Sequence, residues 1–178
     1  GQEQDYDIWR QLGNKGWGWK DIFPYFLKSE NQERGKSKFH NVGGPLSVSD
    51  TRIKLDLLEK FMDAAEEKGI PRVDDFNTGD NFGCGYFQVT EKNGLRCSAA
   101  VGYLKPIKNR KNLKVEINCH VKKINFEGKK AISISYWKDN ELFTVKSNKE
   151  IILSAGSIGS AQILQVSGIG DGKKLSNL

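Results

Sequence analysis

The stretch EIILSAGSIGSAQILQVSGIG, residues 150–170, decides the fold class that the sequence predicts. Its start is continuously apolar, as in a buried strand of an α/β sheet. A corner of small residues, 154–157, follows directly, and then a helix from Ser157 to about Val166 that ends on glycines. Small residues at such a corner let a ligand approach the main chain, and the free N–H groups of a helix start suit a phosphate group. Close packing of helix on strand also needs small residues, so both interpretations stay open here.

Upstream of this helix the sequence alternates or runs in β-branched residues, which is typical of strands. Asp139-Asn140 has the chemistry of a two-residue hairpin turn, and Glu127-Gly128 forms another break. The predicted strands are NLKVEI (112–117), CHVKKINFEG (119–128), KAISISYWKD (130–139), ELFTVKS (141–147) and KEIILSAG (149–156).

The first part of the chain is predicted to be mainly helical, with loops. Its helices are YDIWRQLG (6–13), WKDIFPYFLKSEN (19–31), a helix within 49–71, and RCSAAVGYLKPI (96–107), which should stop or kink near Pro106. Ser49 or Asp50 is expected to cap the third helix, and Gly69 with Pro71 to end it. Short extended segments are expected at 45–48 and 85–90, with a turn at Asn93-Gly94. The large aromatic side chains Trp17, Trp19 and Phe26 are expected to pack in a core.

Composition limits the class of protein. The chain has 178 residues, 37% of them hydrophobic, so one domain or at most two small ones is expected. The apolar runs are too short to span a bilayer. The net charge is +6, but the lysines are scattered, which favours a solvated surface over a nucleic-acid interface.

Several kinds of site are not indicated by the sequence. The cysteines Cys84, Cys97 and Cys119 have no metal-ligand spacing, and neither a GxGxxG fingerprint nor a P-loop is present. His40 and His120 are far apart and near no acidic cluster in the sequence, so they are predicted to be surface or hydrogen-bonded residues. The carboxylate pairs in DYD (5–7) and VDD (73–75) are interpreted as helix caps or turn residues. No catalytic residue and no metal ligand is therefore assigned.

The segment GSIGSAQILQVSGIG (156–170) closely resembles the second signature of the glucose–methanol–choline (GMC) family of flavin oxidoreductases. The matching positions are Gly156, Ser157, Ser160, Ile163, Leu164, Ser167, Gly168, Ile169 and Gly170, whereas Gly159 and Ala161 depart from the pattern. Other segments resemble the family in the same order, among them DYDIWRQLGNKGWGWKDIFPYFLKSE, GGPLSV and GYFQVTEKNGLRCSAAVGYL. The resemblance covers essentially the whole chain and has the character of the insect glucose-dehydrogenase-like branch.

This resemblance implies an α+β or α/β fold with an incomplete FAD-binding domain, made of a sheet plus helices. Residues 111–178 would belong to that domain, and the helical and loop region 1–110 would contribute to the substrate domain and to the cover of FAD. Val121 matches the position whose main chain contacts the adenine, and Ala155 and Gly156 match the small residues beside the cofactor. From the residues alone, Val121 would be taken for an ordinary strand residue.

The resemblance also implies the function: an FAD-dependent oxidoreductase that acts on the CH–OH group of a small alcohol or sugar and passes hydride to the flavin. The electron acceptor is not indicated, and secretion is suggested only by the insect relatives. The family's dinucleotide fingerprint is expected upstream of Gly1 and its catalytic histidine downstream of Leu178. We therefore expect an internal fragment that is inactive alone and, with open sheet edges, prone to aggregate. The alternatives are a truncated, inactive relative that serves as a binding or interaction module, and a basic nucleic-acid binder, which salt-sensitive DNA binding would support.

Overall fold

The computed structural model describes residues 2–176, and their contacts divide the chain into two compact units, Gly1–Leu113 and Lys114–Leu178. Unit 1 contains α1 (Glu3–Gln11), α2 (Trp19–Ser29), β1 (Glu30–Gln32), β2 (Leu46–Val48), α3 (Asp56–Glu67), β3 (Glu91–Lys92), β4 (Leu95–Arg96), a π-helical turn (Ala100–Leu104) and a 3₁₀ turn (Lys105–Ile107). Unit 2 contains β5 (His120–Glu127), β6 (Lys130–Lys138), β7 (Glu141–Lys146), α4 (Gly156–Val166) and α5 (Gly172–Leu175). This mixture of helices and small sheets confirms the predicted α+β class.

The first two helices of unit 1 pack through aromatic side chains. Tyr6 of α1 lies 5.8 Å from Trp19 and 5.9 Å from Phe26 of α2, measured between ring centroids. These rings contact one another along a surface and do not enclose a core. Trp17 is 56% exposed and Phe26 48% exposed, so the expectation that both are buried is wrong.

The third helix of unit 1 ends as the sequence predicts but begins later. The N–H groups of Gly69 and Ile70 close the last turn on Glu66 and Ala65, and Gly69 has φ +79°, where glycine is favoured. The cap, however, is Leu55 and not Ser49 or Asp50. The main chain of Ser49 instead forms an isolated bridge with Val89, and the Asp50 carboxylate lies 2.8 Å from Arg34. Both residues are therefore held elsewhere.

Polar contacts, more than apolar ones, connect the loops of unit 1. Among the described residues, only Met62, Cys97 and Ile124 are buried hydrophobic side chains, and Ile124 belongs to unit 2. The strands β1 and β2 form a parallel pair, in which Gln32 lies opposite Val48.

The predicted strand 85–90 is wrong, because only Val89 is paired there. The extended segment 45–48 and the turn at 93–94 are confirmed as β2 and as the turn between β3 and β4.

Unit 2 is built on an antiparallel meander in the order β5-β6-β7. Asp139 and Asn140 have φ of +49° and +66°, the geometry of the two-residue hairpin turn that their identities predict. The strands predicted at 112–117 and 149–156 are wrong. Neither segment forms a ladder, and Ile152 is 78% exposed, because no described strand lies beside either segment. An apolar run becomes a strand only when another strand accepts its hydrogen bonds.

The stability of unit 2 is expected to depend on pH through the carboxylate of Glu116. The Glu116 carboxylate lies 2.5 Å from Lys114 Nζ and 2.6 Å from Lys138 Nζ, and these hydrogen bonds lower the pKa of Glu116 from 4.5 to about 2. A depressed carboxyl pKa contributes stability that is present above 4.5 and is lost as the pH falls toward 2. We expect the urea midpoint of unit 2 to fall in this window, and Glu116→Gln to reduce the fall.

The exposed Glu127 provides the matched control, because its side chain has no ion pair in the described part of the chain. Glu127→Gln should leave the pH profile as it is. If the urea midpoint of Glu116→Gln fell with pH as much as that of the unsubstituted protein, the ion pairs of Glu116 with Lys114 and Lys138 would not form in solution.

Candidate functional site

The corner between residues 153 and 157 has the space and main-chain geometry of a ligand contact. Gly156 is the first residue of α4 and has φ +80°, a conformation that residues with a side chain rarely adopt. A Cβ atom added to Gly156 would meet no atom within 4 Å. Ala155 and Ser157 on either side are exposed. A flat or anionic group can thus approach the main chain here.

The start of α4 also has suitable electrostatics. The N–H of Ala155 donates to the Ser160 hydroxyl at 3.1 Å, so it is already satisfied. In residues 2–176 no side-chain cap and no first-turn carboxylate neutralises the start of α4. The next amides form the positive end of an 11-residue helix. They can donate to a phosphate or to a carbonyl of a cofactor.

Val121 lies on β5 at the edge of the unit 2 sheet. It is half-buried and pairs with Tyr136 of β6, with a shift of register between Val121 and Lys123. In the described part of the chain β5 has β6 as its only strand neighbour. Along its free edge, main-chain N–H and C=O groups can present a donor and an acceptor, as the edge of a base requires.

The helix and the strand that carry these residues are joined at one defined point. The N–H of the buried Ile124 donates to the Ser167 hydroxyl at 2.8 Å, and that hydroxyl donates to the carbonyl of Ile163. Ser167 follows the C-terminal end of α4, whereas Gly156 lies at its start, about 16 Å away along the helix axis. The structure therefore brings the elements of Val121 and Gly156 together in one unit, with Ser167 fixing their packing.

Removal of that hydroxyl should destabilise unit 2. Ser167→Ala leaves the Ile124 N–H without a partner in a buried position, which costs about 1–3 kcal/mol. We expect this loss in the free energy of unfolding measured with urea. Ser157→Ala, at the exposed start of the same helix, should change it by less than about 0.5 kcal/mol. Equal effects of the two substitutions would show that Ser167 does not hold α4 on β5.

Unit 1 contains a polar cluster that the sequence analysis missed. His40 is 7% exposed; its Nδ1 lies 2.9 Å from Glu30 Oε1, and its Nε2 lies 2.9 Å from Asp75 Oδ2. The Nε2 contact is close but has no aligned hydrogen bond. The prediction that His40 is hydrogen-bonded is confirmed, but the expectation that it lies near no acidic cluster is wrong.

In the VDD segment Asp75 is a turn residue, as predicted, and it also contacts His40. Asp75 Oδ1 accepts from the N–H of Asn77 at 2.8 Å, as a turn residue does, while its other oxygen faces His40. Nothing local in the sequence marks this contact, because Glu30, His40 and Asp75 come from β1 and from two separate loops. Only the approach of these loops forms the cluster.

A cavity of about 410 Å³ adjoins this cluster within unit 1. Its walls combine aromatic side chains, among them Trp19 and Phe23, with polar ones, among them Glu30, His40 and Gln88. Each ring nitrogen of His40 faces a carboxylate of its own cluster, at 2.9 Å. His40 therefore has the geometry of a residue that fixes the loops, not of a general base.

The side chains of residues 2–176 form no group of three or more His, Cys, Asp or Glu arranged to hold a metal ion. Among the helices of the described chain, none combines the length and the apolar character that crossing a bilayer requires.

Comparison with known proteins identifies relatives along the whole chain. The model of the GMC oxidoreductase family matches residues 1–178. The mitochondrial choline dehydrogenase of Homo sapiens is 36% identical over 178 residues, which are 100% of this chain and 30% of that protein. The alcohol dehydrogenase [acceptor] of Pseudomonas putida is 38% identical, over 98% of this chain and 32% of that protein.

Solved structures agree with these relatives. An FAD-dependent oxidoreductase from Chaetomium thermophilum superposes with a TM-score of 0.90 at 32% identity, covering 100% of this chain and 33% of that one. Pyridoxine 4-oxidase from Mesorbium loti gives a TM-score of 0.90 at 28% identity, covering 99% of this chain and 35% of that one. The chain thus spans about a third of the length of the relatives it matches.

Proposed function

Because the chain belongs to the GMC oxidoreductase family, whose cofactor is FAD, we propose that it forms part of a flavoenzyme that oxidises an alcohol group of a small molecule. The match over residues 1–178 is the observation that carries this proposal. The names of the relatives, choline dehydrogenase and alcohol dehydrogenase, support an alcohol as the donor. The candidate donors are a simple alcohol, an amino alcohol and a sugar, the last as in the insect glucose-dehydrogenase-like branch.

Unit 2 would hold FAD through main-chain groups. Ala155 and Gly156 would lie beside the cofactor, and the main chain of Val121 would contact the adenine. The open space at Gly156 and the positive start of α4 fit such a group. When bound, FAD supplies the acceptor for the hydride that leaves the alcohol carbon. The residues of this chain bind and orient it.

The two regions would have separate tasks. We assign residues 111–178 to the FAD-binding domain, and residues 1–110 to a region that contributes to the substrate domain and covers FAD. The division into units at Leu113 supports this assignment, as does the contrast between a meander in one unit and helices with loops in the other.

The active protein would be longer than this chain. The relatives it matches are about three times as long, and many large apolar side chains are exposed, among them Leu12, Leu57, Ile152 and Ile158. Apolar surface of this extent usually meets another surface. The general base that accepts the alcohol proton would then lie outside these residues, because His40 is held by two carboxylates.

The alternative is a binding module without catalysis. The contacts of His40 with Glu30 and Asp75 favour this alternative. They leave His120 as the one other histidine of the described residues that could act as a base. The partner of such a module would engage the exposed apolar side chains.

Purification of the protein from its natural source distinguishes the two. An antibody against the exposed segment KPIKNRKN (105–112) would recover the protein, whose mass and bound flavin are then measured. We expect a mass well above 20.0 kDa, released FAD, and reduction of a dye with choline, a primary alcohol or glucose as donor. A mass of 20.0 kDa without flavin would contradict the proposal and favour the binding module.

The 178-residue chain expressed alone provides a second test of the division of tasks. With FAD added it should reduce no dye in the presence of any of the three donors. Alcohol-dependent reduction by this chain would show that it contains the base, against the assignment above.

A further inference from the structure

The two edges of the unit 2 sheet differ in how well they are protected. The edge strand β5 has two shifts of register, and its Ile124 amide is bonded to Ser167. The edge strand β7 has six residues, all exposed, without Pro, Gly or any shift of register against β6. Regular, exposed edges are templates for another strand, and bulges protect against this. The edge of β7 is therefore the open one.

The hydrogen bonds to β6 fix which groups of β7 point outward. The Ser147 N–H donates to the Ile132 carbonyl at 2.9 Å, so Ser147 points toward β6. Because orientation alternates along an antiparallel strand, the main-chain N–H and C=O groups of Leu142, Thr144 and Lys146 point away from the sheet. None of these three amides donates to a protein group among residues 2–176.

We propose that a second copy of this chain pairs with this edge, with the two β7 strands antiparallel about a two-fold axis at Thr144. Across the new edge, outward-facing residues of one copy must lie opposite outward-facing residues of the other. Thr144 faces outward, so the two copies of Thr144 can lie opposite each other on the axis. The pairing places Leu142 opposite Lys146 of the second copy, and Lys146 opposite Leu142 of the second copy. The three pairs exchange about six main-chain hydrogen bonds.

The side chains favour this register. The two-fold axis creates two pairs of Phe143 with Val145 and one pair of Thr144 with Thr144. Pairs of an aromatic with a β-branched residue, and pairs of two threonines, stabilise neighbouring strands. Phe143 already stacks on Tyr136 at 5.6 Å, so each Val145 would extend an existing apolar face. No like charges meet, because Lys146 faces Leu142 and Glu141 faces Ser147. The side chains as well as the main chain thus select a second copy as the occupant.

The test is the mass of the purified protein as a function of concentration, measured by sedimentation. We expect the mass to rise toward twice the protomer mass. Amide hydrogen exchange should show that Leu142, Thr144 and Lys146 become protected over the same range of concentration. A protein that stays monomeric, or one that dimerises with these three amides unprotected, would overturn the proposal.

Charge substitutions at the two-fold axis make the test specific. Thr144→Lys and Thr144→Glu each place like charges opposite each other, so each should weaken the dimer by about tenfold or more. An equimolar mixture of the two should restore it, because Lys then faces Glu. Thr144→Ser, which keeps the hydroxyl that lies 3.2 Å from Ser135, is the control and should dimerise normally. Failure of the mixture to dimerise, in variants that remain folded, would place the contact elsewhere.

Discussion

Replacement of His40 by alanine is expected to lower the free energy of unfolding of unit 1 by about 3 kcal/mol. The imidazole lies between the carboxylates of Glu30 and Asp75, at 2.9 Å from each, and is almost fully buried. Without it the Glu30 carboxylate loses its contact with Nδ1 and the Asp75 carboxylate loses its contact with Nε2, both in a poorly solvated site. Urea unfolding, followed by the fluorescence of the unit 1 tryptophans, measures the loss.

Two controls make this result specific to the cluster. His120→Ala removes the other histidine, which is exposed at the start of β5, and should change the stability by less than about 0.5 kcal/mol. Glu30→Gln combined with His40→Ala should recover part of the loss, because one buried charge is then absent. A His40→Ala protein as stable as the unsubstituted one would show that the cluster does not form in solution.

Replacement of Gly156 by valine is expected to affect both folding and FAD. A β-branched residue at φ +80° costs about 1–3 kcal/mol of strain, which should appear in the unfolding of unit 2. The new side chain also projects into the open space beside Ala155, where we propose that the cofactor lies. The affinity of the full-length protein for FAD, measured by flavin fluorescence, should fall by about tenfold or more.

Asparagine at the same position separates the two effects. Asn tolerates the left-handed conformation, so Gly156→Asn should cost less than about 1 kcal/mol of stability while still filling the space for FAD. Gly168→Asn is the matched control, because Gly168 has φ +86° and open space at the other end of α4. If Gly156→Asn bound FAD as tightly as the unsubstituted protein, the corner would not be a cofactor contact.

The sequence predicted the elements whose cause is local. The helices α3 and α4 follow from apolar spacing and from glycines that end them, and the hairpin of β6 and β7 follows from Asp139-Asn140. The assignment of Val121, Ala155 and Gly156 to FAD came from the family resemblance, and it stays a prediction. The structure adds that Gly156 has the required main-chain conformation and open space.

The errors have a common physical cause. The segment 149–156 was predicted as a strand, yet a strand needs a neighbour, and no described strand lies beside it. Ser49 and Asp50 have the chemistry of helix caps, but contacts with Val89 and Arg34 hold them away from α3. Trp17 and Phe26 were expected in a core, but their aromatic partners lie along an exposed face. In each case a distant residue decided the outcome.

The sequence by itself determined the family, the cofactor and the local elements, because signature residues, apolar periodicity and turn chemistry all act over a few neighbouring positions. Only the tertiary structure decided that Glu30, His40 and Asp75 meet, that Ser167 fastens α4 to β5, and that the outward amides of β7 remain open. These contacts join residues that are distant in the chain. Their energy depends on burial and on the approach of separate loops, which no local pattern of residues records.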